Sequence, residues 1–231
     1  MSAPFFGELY LRSTRPFLSD LVTQAEANFL RANLPPVRLL DLGCGHGRHM
    51  ALVPSFGIDR DPLSLVEAKE AGPVARADFR KLPYRAGAFQ GAWSWFNSLG
   101  TFEDDQVPLI LRELARCLAP GGVLIIKGSH LARARADPEA GFDGPLPDGS
   151  HLVERALFDP IKRRDEIHRS LRLPDGHLME APFFIRYYDV GEWQSLLNEA
   201  GFDPQWWVGD LDGSPLEEAS TDLIVGARRR A

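Results

Sequence analysis

Cysteine is scarce in this chain of 231 residues, and long apolar runs are lacking. The two cysteines, Cys44 and Cys117, have no metal-binding spacing and offer no disulfide framework, which is typical of a reducing compartment. No apolar stretch approaches the roughly 20 residues that cross a bilayer, and the N-terminal residues lack the basic and apolar regions of a secretory signal. We therefore expect a cytoplasmic protein that does not bind membranes.

An excess of positive charge is also missing. The formal net charge is −6 at pH 7, whereas general binding of nucleic acids or acidic membranes requires a basic surface. These partners are disfavoured, and a small molecule is the better candidate. With 44% hydrophobic and 25% charged residues, the composition suits one globular domain over 1–231.

Three glycines at alternate positions follow a short apolar run, in the segment LLDLGCGHGRHM at 39–50. The run at 37–42 has the composition of a strand buried on both faces of a parallel sheet. Alternate glycines permit positive φ and close approach of the backbone to a ligand, and 48–52 is predicted to begin a helix whose free N–H groups favour negative charge. A ligand is therefore expected at this strand end. The alternative is a tight turn without a ligand.

Strands and helices are predicted to alternate through the first half of the chain. The predicted strands are 37–42, 55–59, 73–77, 90–95 and 123–127, the last after a turn at 120–122, and the predicted helices are 18–32, 62–70 and 104–118. This alternation specifies an α/β fold with a doubly wound, mostly parallel sheet. Residues 1–34 are expected to form an N-terminal helical arm that packs over the sheet edge.

The alternation is interrupted after the fifth strand. A loop rich in Pro, Gly and Asp at 137–149 precedes an antiparallel β meander, with strands at 151–158, 166–173 and 177–188. A helix at 190–200 and strands at 204–208 and 221–227 then complete a seven-stranded sheet. Residues 137–188 are thus expected as an inserted segment over the carboxyl edge of the sheet, contributing to acceptor binding or to a homodimer contact.

Acidic residues end the next two predicted strands. Asp59 closes the second strand, where a carboxylate can accept hydrogen bonds from both hydroxyls of a ribose. Asp78 closes the third strand, and with Phe79 it could bond an adenine amine and cover its ring. Either acid alone could be a solvated loop residue. Their succession at strand ends indicates that a nucleoside is bound.

These motifs resemble those of the class I S-adenosylmethionine-dependent methyltransferases, and the resemblance spans nearly the whole chain. Asp41-x-Gly43-x-Gly45-x-Gly47 is similar to the first motif of the family, Gly57-Ile58-Asp59 to the second, Ala77-Asp78 to the third, and LAPGG at 118–122 to a motif that follows the fourth strand. FFGELYLRSTRPFLS, FNSLG and GDLDGSP resemble a bacterial small-molecule subgroup. One departure is that only MALVPSF separates Gly47-Arg48-His49 from Gly57, so the first crossover helix is expected to have about two turns.

The resemblance implies a Rossmann-like methyltransferase fold with S-adenosylmethionine as cofactor. It places the glycine loop beneath the methionine part, Asp41 towards the methionine amino group, Asp59 on the ribose, and Asp78 and Phe79 on the adenine. The predicted cofactor-binding residues are Asp41, Gly43, Cys44, Gly45, Gly47, Asp59, Arg60, Asp78, Phe79, Trp95 and Phe96. Tyr10, Asn97 and Ser98 are expected to contact the substrate. No metal ligands are expected, and no catalytic base is assigned.

The predicted activity is methyl transfer to a small-molecule acceptor by in-line displacement. A sulfonium methyl group is already activated, so attack by a nitrogen, oxygen or carbon nucleophile requires mainly positioning and exclusion of water. A protein that binds the cofactor without catalysis is one alternative. A nicotinamide-dependent oxidoreductase is another, although Arg48 or Met50 stands where its Gly-x-Gly-x-x-Gly fingerprint requires the last glycine.

Overall fold

The computed structural model describes residues 5–231, whose strands form two sheets. The strands are β1 (Leu39–Leu42), β2 (Phe56–Asp59), β3 (Val74–Arg76), β4 (Phe89–Ser94), β5 (Leu118–Ser129), β6 (Gly141–Pro145), β7 (His151–Asp159), β8 (Arg164–Arg172), β9 (Leu178–Arg186), β10 (Phe202–Val208) and β11 (Asp222–Arg229). The large sheet has the order β10-β11-β5-β4-β1-β2-β3, in which β11 is antiparallel to both neighbours and the other pairings are parallel. The predicted doubly wound, seven-stranded sheet is confirmed.

The helices are α1 (Glu8–Thr14), α2 (Asp20–Asn33), α3 (Pro62–Ala71), α4 (Val107–Cys117), α5 (Leu131–Ala136) and α6 (Val190–Glu199), with 3₁₀ turns at Arg15–Phe17 and Ser98–Thr101. Side-chain caps explain where several of them begin. Ser19 caps α2, Asp61 caps α3, and Asp189 forms a capping box with Glu192 at the start of α6. Of the predicted N-terminal arm, residues 1–4 lie outside the described residues.

The predicted helix at 48–52 is wrong, because the segment between β1 and β2 forms only turns. Its backbone makes two helix-like bonds, from the N–H of Ala51 to Gly47 and from the N–H of Val53 to His49. Pro54 follows directly, and a residue before proline is disfavoured in the helical region. The short connection therefore ends before a full helix can form.

Helix α2 covers the sheet face that the short connection leaves bare, so the expected packing over a sheet edge is also wrong. Phe29 and Leu30 of α2 pack with Trp93 of β4, Ile125 of β5 and Ile224 of β11. These strands are at the centre of the sheet, and Trp93 is fully buried. The opposite face is covered by α4 and α6.

Two other boundaries differ from prediction. The predicted turn at 120–122 lies inside β5, where Gly121 has a φ of +74° and the pairing with β4 shifts register. The register moves from the pair Phe89–Leu118 to the pair Gly91–Val123, so residues 119–122 interrupt the pairing while the strand continues. The predicted loop at 137–149 contains β6, because the five residues 141–145 pair with β7 and extend the meander to four strands.

The meander is joined to α1 by apolar and polar contacts. Phe5 and Leu9 are buried against Leu152 and Leu171 of the small sheet. Arg169 of β8 donates hydrogen bonds to Ser13 and Thr14 at 3.0 and 2.7 Å and pairs with Glu154. The arm and the meander therefore form one packed unit.

Candidate functional site

A cavity of about 600 Å³ lies at the carboxyl ends of β1 to β4. Gly43 follows β1, Asp59 ends β2, Arg76 ends β3 and Ser98 follows β4, and all of them line the cavity. In open α/β sheets this edge is where ligands bind. Of the predicted site residues, the structure brings Gly43, Asp59, Arg60, Phe79 and Ser98 together around this cavity.

Asp59 connects the first two strand ends. One carboxylate oxygen accepts the N–H of Gly45 and the other accepts the N–H of Asp61, each at 2.9 Å. Burial raises the pKa of Asp59, and these N–H groups oppose the shift. The cap of α3 is Asp61 rather than Asp59. Asp59 therefore does not cap this helix, and its carboxylate holds the glycine loop and lines the cavity.

Two of the loop glycines are required by both conformation and space. Gly43 has a φ of +87°, and a Cβ there would lie 2.8 Å from the Oγ of Ser98. Gly47 has a φ of +84°, and its Cβ would lie 2.9 Å from the Cα of Ala68 in α3. The first glycine keeps the cavity open beside Ser98, and the second lets the loop pack against α3.

Asp41 of β1 is a buried acid with an unused oxygen. Its exposed fraction is 1%, and its Oδ2 has no hydrogen-bond partner among residues 5–231. Burial raises its pKa to about 8, while Arg48 opposes the shift and Asp59 adds to it. A buried acceptor without a donor is rare in native structures. Its oxygen is therefore suited to a donor supplied by a ligand.

Asp78 and Phe79 differ in their relation to the cavity. Phe79 is buried, lines the cavity and lies 5.5 Å from the ring centroid of Phe102. Asp78 instead accepts two hydrogen bonds from the guanidinium of Arg80, at 2.9 and 2.6 Å. The hydrogen bonds from Arg80 lower its pKa to about 2. A hydrogen bond from an adenine amine to Asp78 would therefore have to compete with Arg80 for the carboxylate oxygens.

The side chains of Cys44 and Trp95 pack in apolar clusters. Cys44 contacts Met50 and Leu65 behind the glycine loop. Trp95 is 3% exposed and packs with Phe29 of α2. Contact between these two side chains and a ligand in the cavity is therefore not expected.

The segment after β4 has an unusual backbone. Phe96 and Asn97 have φ values of +55° and +60°, a conformation that costs free energy and often occurs at functional sites. The Asn97 amide accepts the N–H of Ser129 at 2.7 Å and donates to its Oγ at 3.0 Å, joining the ends of β4 and β5. Phe96 is left 47% exposed, and Ser98 reaches the cavity.

The N-terminal arm approaches the cavity through Phe6 rather than through Tyr10. Phe6 lines the cavity, and the ring of Tyr10 lies 5.7 Å behind it. Burial raises the pKa of Tyr10, so its phenol remains protonated at neutral pH. The two aromatic rings form one wall of the cavity, which α1 and the residues just before it supply.

Comparison with known proteins agrees with this geometry. Residues 39–122, which include β1 to β4 and the start of β5, match the family model of a methyltransferase domain. This segment, which contains the glycine loop and Asp59, is therefore similar to a methyltransferase domain. A search of curated proteins finds no significant match.

Solved structures of methyltransferases share the fold of this chain at low sequence identity. An S-adenosylmethionine-dependent methyltransferase from Clostridium acetobutylicum has a TM-score of 0.81 at 15% identity, over 96% of this chain and 97% of that chain. A sugar N-methyltransferase from Streptoalloteichus has a TM-score of 0.68 at 21% identity, over 100% and 96%. An amino pentose methyltransferase from Micromonospora echinaspora, solved with its cofactor bound, has a TM-score of 0.66 at 18% identity, over 99% and 100%.

Several residues that line the cavity were not predicted as site residues. They are Phe6, Asp61, Pro62, Arg76, Arg80, Thr101, Phe102 and Gln106. Arg76 is the residue before the last of a predicted strand, so its position beside Asp59 could have been inferred from the parallel order. The others reach the cavity from the arm and from the connections after β2, β3 and β4, where no sequence pattern shows which side chains point towards the cavity.

Residues 5–231 contain neither a metal-binding cluster nor a candidate membrane span. Their His, Cys, Asp and Glu side chains form no group of three or more that could hold a metal ion. None of the helices described for these residues is long and apolar enough to cross a membrane.

Replacing Asp41 with asparagine is expected to stabilise the ligand-free protein increasingly as the pH rises. The pKa of Asp41 rises from 3.8 to about 8 on folding, so the folded protein binds more protons, and the free energy of unfolding falls between pH 4 and pH 8. Asparagine does not titrate. We expect the variant to gain about 1–3 kcal/mol over the original chain between pH 5 and pH 8, from ~1.4 kcal/mol per pKa unit reduced for relaxation.

Urea denaturation at both pH values measures this effect of Asp41. Because both proteins carry the other titrating groups, the difference between them isolates this carboxyl. A constant difference between the two pH values would show that Asp41 is ionised throughout.

Proposed function

We propose that this protein transfers a methyl group from S-adenosylmethionine to a small-molecule acceptor. The observation that carries the proposal is the hydrogen bond between Asp59 and Gly45, which joins the acid of β2 to the glycine loop after β1 at the edge of the cavity. A volume of about 600 Å³ is within the range for small-molecule sites. The family match over 39–122 supports the same activity.

The residues present fit this cofactor. Asp59 offers carboxylate oxygens to ribose hydroxyls, and Phe79 offers an apolar wall to the adenine. The unpartnered Oδ2 of Asp41 is an acceptor for the ammonium group of the methionine part. The space beside Gly43, which a Cβ would fill, admits the ligand between the glycine loop and Ser98.

The protein contributes positioning and a dry environment. The cofactor supplies a methyl group activated by its positively charged sulfur. Phe6 and Phe102 provide apolar walls of the cavity, while the left-handed Phe96 and Asn97 fix the path of the chain after β4. Positioning of this kind can provide a large part of the rate enhancement of a transfer reaction.

We propose an amino group on a sugar-sized molecule as the first acceptor class to test. The support is that two neighbours in structure are an amino pentose methyltransferase and a sugar N-methyltransferase. A neutral amine has a nucleophilic lone pair and needs no strong base for attack. An acidic chain of net charge −6 also suits amines better than nucleic acids.

Calorimetry with three ligands tests the proposed cofactor. We expect saturable binding of S-adenosylmethionine and of S-adenosylhomocysteine, and no binding of NADH, because the loop lacks the last glycine of the Gly-x-Gly-x-x-Gly fingerprint. Transfer of label from methyl-labelled cofactor to amino sugars, with matched hydroxyl sugars as the control, then identifies the acceptor class. Binding of NADH without a response to S-adenosylmethionine would overturn the proposal.

A further inference from the structure

A buried polar cluster ties the glycine loop to α2. Glu26 of α2 is 3% exposed and pairs with Arg48, and its Oε2 lies 2.9 Å from the Nε2 of His49. Arg48 also donates to the Oγ1 of Thr23 at 3.1 Å. We call Glu26, Arg48 and His49 the loop clamp, because two of its members directly follow Gly47 and the third lies on a helix.

The loop clamp is charged. Burial alone would raise the pKa of Glu26, but the hydrogen bonds from His49 and Arg48 outweigh it and lower the pKa to about 2. Burial lowers the pKa of His49, and its bond to Glu26 opposes this shift. Arg48 is therefore the main charge partner of Glu26 at neutral pH. Removing the carboxylate would leave the guanidinium in a site only 12% exposed, which is unfavourable for an unpaired charge.

The loop clamp holds the end of the glycine loop, which no helix supports. The start of the glycine loop is held by backbone bonds from Gly43 and Cys44 to the carbonyl of Ile58. Beyond Gly47 the chain makes only turns before β2, so no continuous helix holds this end. Side-chain bonds to α2 provide the missing support.

The loop clamp leaves part of the Arg48 guanidinium without a partner. Only Nη1 of Arg48 is used by Glu26 and Thr23, and its other guanidinium nitrogens have no acceptor among residues 5–231. Asp41, on the other side of the glycines, has its unpartnered Oδ2, and the two residues form no salt bridge with each other. A guanidinium and a carboxyl group that flank one loop are complementary to an α-amino acid, which carries a carboxylate and an ammonium group.

We propose that Glu26 is a positioning residue of the cofactor site: by holding Arg48, it fixes the glycine loop and presents a cation for the carboxylate of the cofactor's amino-acid end. The inference rests on the proposed function. It adds Arg48 as a binding residue and Glu26 as the residue through which Arg48 is placed.

The first measurement is hydrogen exchange of the ligand-free protein, which needs no cofactor. In Glu26→Gln we expect the amides of residues 43–53 to exchange about tenfold faster, the change that ~1.4 kcal/mol of local stability produces. Asp165→Asn is the matched control, because Asp165 is also buried and accepts a bond from Tyr187 at 2.6 Å, but lies on β8. Unchanged exchange at 43–53 in Glu26→Gln would overturn the clamp.

The second measurement compares S-adenosylmethionine with methylthioadenosine, which lacks the amino-acid end. We expect Glu26→Gln and Arg48→Met each to weaken binding of the first ligand by about tenfold or more, equivalent to ~1.4 kcal/mol, and to change binding of the second much less. If Glu26 acts through Arg48, the double variant binds no more weakly than Arg48→Met.

Equal losses for both ligands, or losses that add in the double variant, would overturn the role of Arg48. If Glu26→Gln does not fold, Thr23→Val removes the second acceptor of Arg48 and is expected to act in the same direction. Failure of the original chain to bind S-adenosylmethionine would overturn the proposed function instead, and the exchange measurement would still decide the clamp.

Discussion

Replacing Asp59 with alanine is expected to weaken binding of S-adenosylmethionine by about 30- to 1,000-fold. The variant loses two charge-assisted hydrogen bonds to the ribose, which contribute ~1.5–3 kcal/mol each in favourable cases. With partial replacement by water, the loss is about 2–4 kcal/mol, at ~1.4 kcal/mol per tenfold. The glycine loop also loses its brace, because Gly45 no longer has an acceptor. Calorimetry measures the affinity of the folded variant.

Asp189→Ala is the control for this experiment. Asp189 also accepts a backbone N–H bond, in the capping box of α6, but it does not line the cavity. We expect it to lower stability by ~0.5–2 kcal/mol and to leave cofactor affinity unchanged. If Asp59→Ala behaved like Asp189→Ala, with lower stability and native affinity, Asp59 would not be a ribose ligand.

Replacing Gly47 with alanine is expected to destabilise the protein by about 2–5 kcal/mol. Alanine at a φ of +84° costs ~1–2 kcal/mol. The new Cβ would also meet the backbone of Ala68 at 2.9 Å, and relief of such crowding adds ~1–3 kcal/mol. Because the contact is with backbone, α3 or the loop must shift as a whole. Urea denaturation measures the loss.

Gly45→Ala separates conformation from crowding. Gly45 also has a positive φ, of +53°, but nothing lies within 4 Å of its would-be Cβ. We expect a loss of only ~1–2 kcal/mol from the left-handed backbone. Equal destabilisation by the two alanines would show that the loop does not pack closely on α3.

The parts of the site that could be predicted from sequence are those that depend on local pattern. A short apolar run before alternate glycines indicates a strand end and a loop, and Asp59 follows the next run in the same way. Parallel pairing then brings the strand ends together. Gly43, Asp59 and Phe79 were therefore predictable at the cavity.

The rest depends on contacts between distant segments. The turns at 48–52 cover little of the sheet, and α2 packs on the face that remains. The periodicity of α2 does not reveal this position. Trp95 follows a strand buried on both faces, so alternation could not tell core from cavity. The carboxylate of Asp78 is bound by Arg80, two residues away, so the side chain competes with any ligand for this acid.

The union of α1 with the meander has a consequence for the order in which the chain folds. Arg169 bonds Ser13 across 156 positions of sequence, and Phe5 and Leu9 are buried by strands that also come late in the chain. During synthesis the first helix therefore emerges long before its partners exist. We infer that the apolar side chains of the N-terminal segment stay unburied until residues 141–186 have been synthesised. This wall of the cavity would then be among the last parts of the structure to form.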